Sequence, residues 1–201
     1  MSKDKGGKKV FPAKRFARGP LTCPSCREAL NSATSRCPKC GFVAEKAVEK
    51  FPFPAPPLAT VIDPSGLATA EEKKEVADAI EKARKKVPQV HFVNCIVSMG
   101  ADINLGEFGY WMLNAAEMPE GNDKKHFTVL FLIDPKAKAL SVTVGYGIEP
   151  FVTDSEWTSV LNEVKDHFSR EKLGEGMVAF VKRSVELLNE KYFEVKKILK
   201  S

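Results

Sequence analysis

Apolar positions recur along the second two thirds of the chain with periods that switch between helix and strand. Val76, Ala79, Ile80 and Ala83 mark one face of a helix over 70–86, which Thr69 and Glu72 open as a capping box and Pro88 ends. Residues 90–98, VHFVNCIVS, are apolar on both alternations, the signature of a central strand covered on both faces. Leu105, Phe108, Met112 and Ala116 predict a second helix over 105–117. Two strand-like runs follow, 126–134 and 140–147, joined by PKAKA and close enough to pair as an antiparallel hairpin.

The tail is helical. Thr153 and Glu156 form another capping box ahead of Trp157, Val160, Leu161, Val164 and Phe168. After KLGEG a longer amphipathic helix carries Met177, Phe180, Val181, Leu188, Tyr192 and Val195. The order helix, strand, helix, strand, strand, helix, helix predicts an α/β domain with helices covering a mixed sheet. In it Trp111, Trp157 and Phe180 are expected to fill the core.

A different pattern precedes it: LTCPSCREALNSATSRCPKCGF, residues 21–42. Cys23 and Cys26 form one C-x2-C pair and Cys37 and Cys40 a second, ten residues on. Two such turns close around one tetrahedral ion, and four thiolates favour Zn2+. Pro24 and Pro38 pre-set each turn, and Gly41 permits a positive φ. With four protein ligands no coordination position stays open, so the ion is expected to be structural. Disulfides fit less well, because the amino terminus lacks the apolar core of a secretory signal. The fifth cysteine, Cys95, sits in the apolar strand run and reads as a small core residue.

The pattern divides the chain into a basic arm over 1–20, a zinc ribbon over 21–44, a Pro-rich linker over 45–58 and the α/β domain over 59–201. Four prolines among residues 49–59 make the linker semi-rigid. Residues 1–50 hold 12 Lys and Arg against 4 acids, whereas the remaining 151 residues hold 19 against 22. The net charge of +5 therefore belongs to the front. Such an arm suits anionic surfaces or nucleic acid, but it also reads as a solvated leader, and a ribbon without interleaved aromatics has little on which to stack bases. The longest apolar run, FTVLFLI at 127–133, is strand length, so no transmembrane segment is expected and the chain reads as soluble and cytoplasmic.

Candidate chemistry gathers in SVTVGYGIEPFVTD, residues 141–154. Two glycines without an adjoining Lys, Ser or Thr make a weak phosphate loop. Glu149 and Asp154, with Asp63 of VIDPSG if the fold brings it near, can instead ligate a hard cation such as Ca2+. Each acid also has a structural reading: Asp154 at a helix N-terminus, Asp63 in the turn at Pro64.

VIDPSGLATAEEKKEVADAIEKA (61–83), VHFVNCIVS and LSVTVGYGIEPFVTD together resemble the TPM domain family over about residues 58–193. The resemblance is strongest at Gly145-Tyr146-Gly147-Ile148-Glu149 and Thr153-Asp154. It implies an α/β/α sandwich, Ca2+ binding in some members and acid phosphatase activity in a plant thylakoid relative, with Asp63, Glu149 and Asp154 at the family's acidic positions. Two motifs depart: the family's D-N-G is replaced by His126-Phe127-Thr128, and its W-G-I-G is absent near Ala115 to Met118. Two functions follow as expectations, an interaction or adaptor module whose partner is another protein, and a metal-dependent phosphomonoester hydrolase with Asp63, Glu149 and Asp154 as its catalytic candidates.

Overall fold

The computed structural model describes residues 21–31, 34–99, 102–119 and 121–198. The basic arm expected over 1–20 lies outside the described residues, as does the side chain of Val195. A small hairpin, β1 (Leu21–Thr22) and β2 (Ala29–Leu30), opens the described chain. The larger sheet has four strands in the order β3 (Val61–Ile62), β4 (His91–Ile96), β5 (Thr128–Asp134) and β6 (Ala139–Val144). Strands β3, β4 and β5 run parallel, and β6 returns antiparallel to β5 as the hairpin pattern implies. This is the mixed α/β sandwich expected, with β3 as an edge strand too short to show in the hydrophobic pattern.

Every residue of β5 is buried, as are the last five of β4. Alternate side chains feed two cores. On one face Phe92, Ile96, Val129, Phe131 and Ile133 pack against three helices, α2 (Ala70–Arg84), α4 (Asp154–Ser169) and α5 (Leu173–Ile198). Phe131 stacks on Phe180 of α5 with ring centroids 3.9 Å apart. On the other face Val93, Cys95, Leu130 and Leu132 meet α3 (Leu105–Ala115). Burial pushes the Cys95 thiol up to about 12, assisted by the charge of Asp63, so it acts as a core side chain and not as a nucleophile.

Both capping boxes form, at Thr69 with Glu72 and at Thr153 with Glu156. Glu72 also bridges two helices, since its Oε1 accepts from the backbone N–H of Gly174 at 2.9 Å and ties the start of α2 to that of α5. That contact explains why α5 begins at Leu173 and takes in the glycines expected to precede it. A Cβ on Gly174 would lie 2.6 Å from Glu72 Cγ, and one on Gly176 2.5 Å from the Phe168 ring. Packing here outweighs the low helix propensity of glycine.

Residues 45–58 also differ from the linker expected. Ala44–Lys50 form a helix, α1, with Ala47 buried against α3. Phe51 is fully buried, with its ring 5.2 Å from Trp111 and 5.3 Å from Phe108. Phe53 adds an edge contact to Trp111 at 5.0 Å. The Pro-rich stretch is thus a strap across the second core, pinned at its far end by the Leu58 N–H to the Glu117 carbonyl at 2.8 Å. Phe51→Ala is expected to lower unfolding stability by about 3–5 kcal/mol, read as a shifted urea midpoint with unchanged slope.

Candidate functional site: a cysteine ribbon docked beside a polar cleft

The two C-x2-C turns are built alike. Cys23 N–H donates to the Glu28 carbonyl and Arg27 N–H to the Cys23 carbonyl; Cys37 N–H donates to Phe42 and Gly41 N–H to Cys37, all at 2.8–2.9 Å. Cys-Pro-Ser-Cys-Arg thereby superposes in pattern on Cys-Pro-Lys-Cys-Gly. The fifth position of each turn is left-handed, with φ 73° at Gly41 and φ 58° at Arg27. Glycine takes this conformation freely, whereas an arginine there carries about 1 kcal/mol of strain.

Four sulfurs converge between the turns. Their ligand atoms all lie within 4.8 Å of one another, with Cys23 to Cys40 and Cys26 to Cys37 at 3.6 Å. A tetrahedral ion with sulfurs at about 2.3 Å requires edges of about 3.8 Å, so the spacing fits a metal. It is far beyond the ~2.05 Å of a disulfide. Hydrogen bonds from the Cys40 and Lys39 backbone N–H groups hold the Cys37 thiol down at about 7, whereas burial pushes the Cys23 thiol up to about 12. Among the described residues these four are the one group of three or more cysteine, histidine or acidic side chains that converges in this way.

The ribbon sits on the α/β body. Asn104 caps α3 by accepting from the Gly106 and Glu107 N–H groups, and its Nδ2 donates to the Ser25 carbonyl at 2.8 Å. Beside it the Pro24 carbonyl rests on Gly106, where a Cβ would come within 2.3 Å. Burial would raise the Glu107 carboxyl, but hydrogen bonds from Ser25 and Lys50 hold it below the usual range. Lys50 Nζ reaches Glu107 at 2.9 Å.

Between ribbon and body lies a cleft of about 390 Å3 at the carboxyl end of β6, which is the amino end of the parallel strands. Cys23, Pro24 and Arg27 form one wall, and Asn114, Lys125, His126, Tyr146, Glu149 and Asp154 supply polar groups on the others. Tyr146 Oη donates to Asn114 Oδ1 at 3.5 Å, and one carboxylate oxygen of Glu149 is buried. Burial holds the Lys125 amine below its usual range, with the charge of Glu117 opposing. Arg27 Nη1 pairs with Asp154 Oδ2 at 3.3 Å.

The structure brings Glu149 and Asp154 to this cleft and leaves Asp63 elsewhere. Asp63 follows β3 at the opposite end of the sheet, ~17 Å along the strands from Gly145 and ~14 Å across them. There its carboxylate accepts from the Leu67 and Ala68 N–H groups, each at 3.0 Å, and pairs with Lys73 at 2.9 Å. Cleft residues Arg27, Asn114 and Lys125 were not singled out by sequence, and Tyr146 and His126 entered only as parts of the GYG segment and of the triplet in place of D-N-G. The signal for Arg27 was present: it stands where the twin turn has glycine.

The glycines of GYG answer a packing demand. Residues 122–127, of which only 126 and 127 were expected to begin the strand, form a 3-10 turn that crosses over them. A Cβ on Gly145 would sit 2.1 Å from the Lys125 carbonyl, and one on Gly147 2.7 Å from the Phe127 ring. Gly145 and Gly147 also donate to the carbonyls of Thr128 and His126. The motif is a close backbone crossing that sets Tyr146 and Glu149 at the cleft.

The TPM domain family matches residues 61–187. This chain belongs to that family. Three NMR structures share the fold of its TPM domain. The N-terminal domain of the cg2496 protein from Corynebacterium glutamicum has TM-score 0.50 and 15% identity, covering 63% of this chain and 78% of its own. The BA42 protein from the psychrophilic bacterium Bizionia argentinensis has TM-score 0.53 and 19% identity, covering 64% and 86%. The N-terminal domain of a protein from P. gingivalis has TM-score 0.51 and 17% identity, covering 74% and 92%. No curated protein matches.

Three substitutions test the packing and electrostatics of the TPM domain. Gly145→Ala should destabilise by about 1–3 kcal/mol in urea unfolding, because carbonyls must move. Gly66→Ala, where nothing lies within 4 Å but φ is +64°, should cost about 1 kcal/mol. For Asp63, burial alone would raise the carboxyl, but Lys73 and the Ala68 and Leu67 N–H groups hold it below the usual range. A depressed carboxyl contributes stability that is present above the unfolded value near ~3.9 and lost as pH falls through the folded one. Asp63→Asn is therefore expected to cost about 1–3 kcal/mol at pH 7 and to draw closer to the wild type as pH falls below the unfolded carboxyl value, in urea titrations across pH.

Proposed function

We propose that this chain is a non-catalytic interaction module, a TPM domain joined to a structural zinc ribbon, that docks another protein. Cys23, Cys26, Cys37 and Cys40 are the zinc ligands in this reading, and reduced thiolates suit a cytoplasmic setting. The observation that carries it is the commitment of the acidic residues. Asp154 is paired with Arg27 of the ribbon, and Asp63 is taken up by two backbone N–H groups and Lys73 at the far end of the sheet.

A metal-assisted hydrolase needs carboxylates that converge on one ion beside the scissile phosphate. Glu149 and Asp154 would be two such ligands, and the family's D-N-G would be a source of a third. Here His126-Phe127-Thr128 brings no acid. The cleft also carries Arg27 and Lys125, so it presents both signs of charge to whatever enters it.

Metal analysis of the full chain is expected to give one zinc per molecule, lost when Cys23 and Cys26 are both replaced by Ser. Millimolar Ca2+ should leave the thermal midpoint unchanged, since only a ligand that binds the folded state raises it. Hydrolysis of a generic phosphomonoester should be undetectable. A calcium-dependent rise in the midpoint that Asp154→Asn abolishes, together with turnover lost in the same variant, would establish the hydrolase instead.

A further inference from the structure

We infer that the metal-loaded ribbon is a cover over the cleft, so that metal occupancy of the four cysteines controls access to the TPM domain's polar site. The inference rests on the ribbon being metal-loaded, as proposed above, and concerns what that loading does to the neighbouring domain.

Three observations carry it. First, the covering atoms belong to the first cysteine turn itself: Cys23 is a sulfur donor and a wall of the cleft, with Pro24 and Arg27 beside it. Second, the attachment of the first cysteine turn is light and polar, whereas the second turn is anchored by Phe42, whose ring meets Tyr110 of α3 at 5.7 Å. The first turn is held by the Asn104 to Ser25 hydrogen bond, the seat of the Pro24 carbonyl on Gly106, hydrogen bonding from Ser25 to Glu107, and the half-exposed Arg27–Asp154 pair. An exposed pair of this kind contributes about 0–1 kcal/mol, so the docked state can be reversed without unfolding the body.

Third, Arg27 holds the left-handed conformation that its twin position gives to glycine. Nothing local favours an arginine there, so the closed turn must impose it. Opening the sulfur cluster frees residues 23–28 to leave that conformation, which withdraws Arg27 from Asp154 and Pro24 from Gly106. The cleft then gains a free Asp154 carboxylate and an open wall, next to the buried Trp157 on its floor. The indole Nε1 of Trp157 meets no acceptor among the described residues, so a group entering the opened cleft would find a donor there.

The chain has two tryptophans, and Trp111→Phe leaves Trp157 as the sole reporter of the cleft. In that background, acrylamide quenching of the full chain is compared before and after chelation, and in Gly106→Ala with zinc retained. The added methyl would meet the Pro24 carbonyl and lift the ribbon, while alanine suits the first turn of α3 better than glycine does. The quenching constant is expected to rise on the order of twofold in both the chelated and the Gly106→Ala protein, with far-UV dichroism of the body retained. A zinc-bound Gly106→Ala chain that is quenched no faster than its parent would overturn the inference. A parent chain that binds no zinc would instead overturn the proposed function.

Discussion

The middle of the sheet must be covered on both faces. β5 exposes none of its seven residues and β4 almost none, so neither face of the sheet can meet water. One face has α2, α4 and α5 to seal it. The other has α3, eleven residues long, which is too short to cover four strands alone. Its remaining area is closed by α1, Phe51 and Leu58, which the chain supplies from upstream of the TPM domain. Covering the sheet thus draws the amino-terminal segment onto the body and sets the ribbon at the start of α3.

From that placement the cleft follows. Asn104, which ends the loop after β4, serves both the helix it caps and the ribbon carbonyl it binds. On the opposite wall the GYG crossing positions Tyr146 and Glu149, and the capping box at Thr153 starts α4 so that Asp154 faces Arg27. The site is composite, and its walls come from a cysteine turn, a helix N-terminus and a strand end. The shape of a cleft made this way depends on two folding units at once.

Much of this was legible in the chain. The period-3.6 and two-sided apolar runs gave the helices and central strands, because those elements bury whole faces and their patterns leave no alternative. The cysteine spacing was equally plain, since four sulfurs at one point constrain the chain more than any propensity. The failures share a cause: tertiary contact. Phe51 among prolines looked like linker because the aromatic cluster that buries it comes from α3, far along the chain. The GYG glycines looked like a loop signal because the backbone that crosses them belongs to a 3-10 turn far from them in sequence, whose last two residues read as strand. Asp63 could be grouped with Glu149 only until the strand order set them at opposite ends of the sheet.

The central claim is that ribbon and TPM domain form one body around the cleft. Backbone 15N relaxation of the zinc-loaded full chain tests it most directly, by comparing residues 23–42 with residues 128–144. Docking as described gives both segments the same rotational correlation time, that of a particle near the chain's 22.2 kDa. A distinctly shorter time for the ribbon, as for a bead on a flexible tether, would contradict the account.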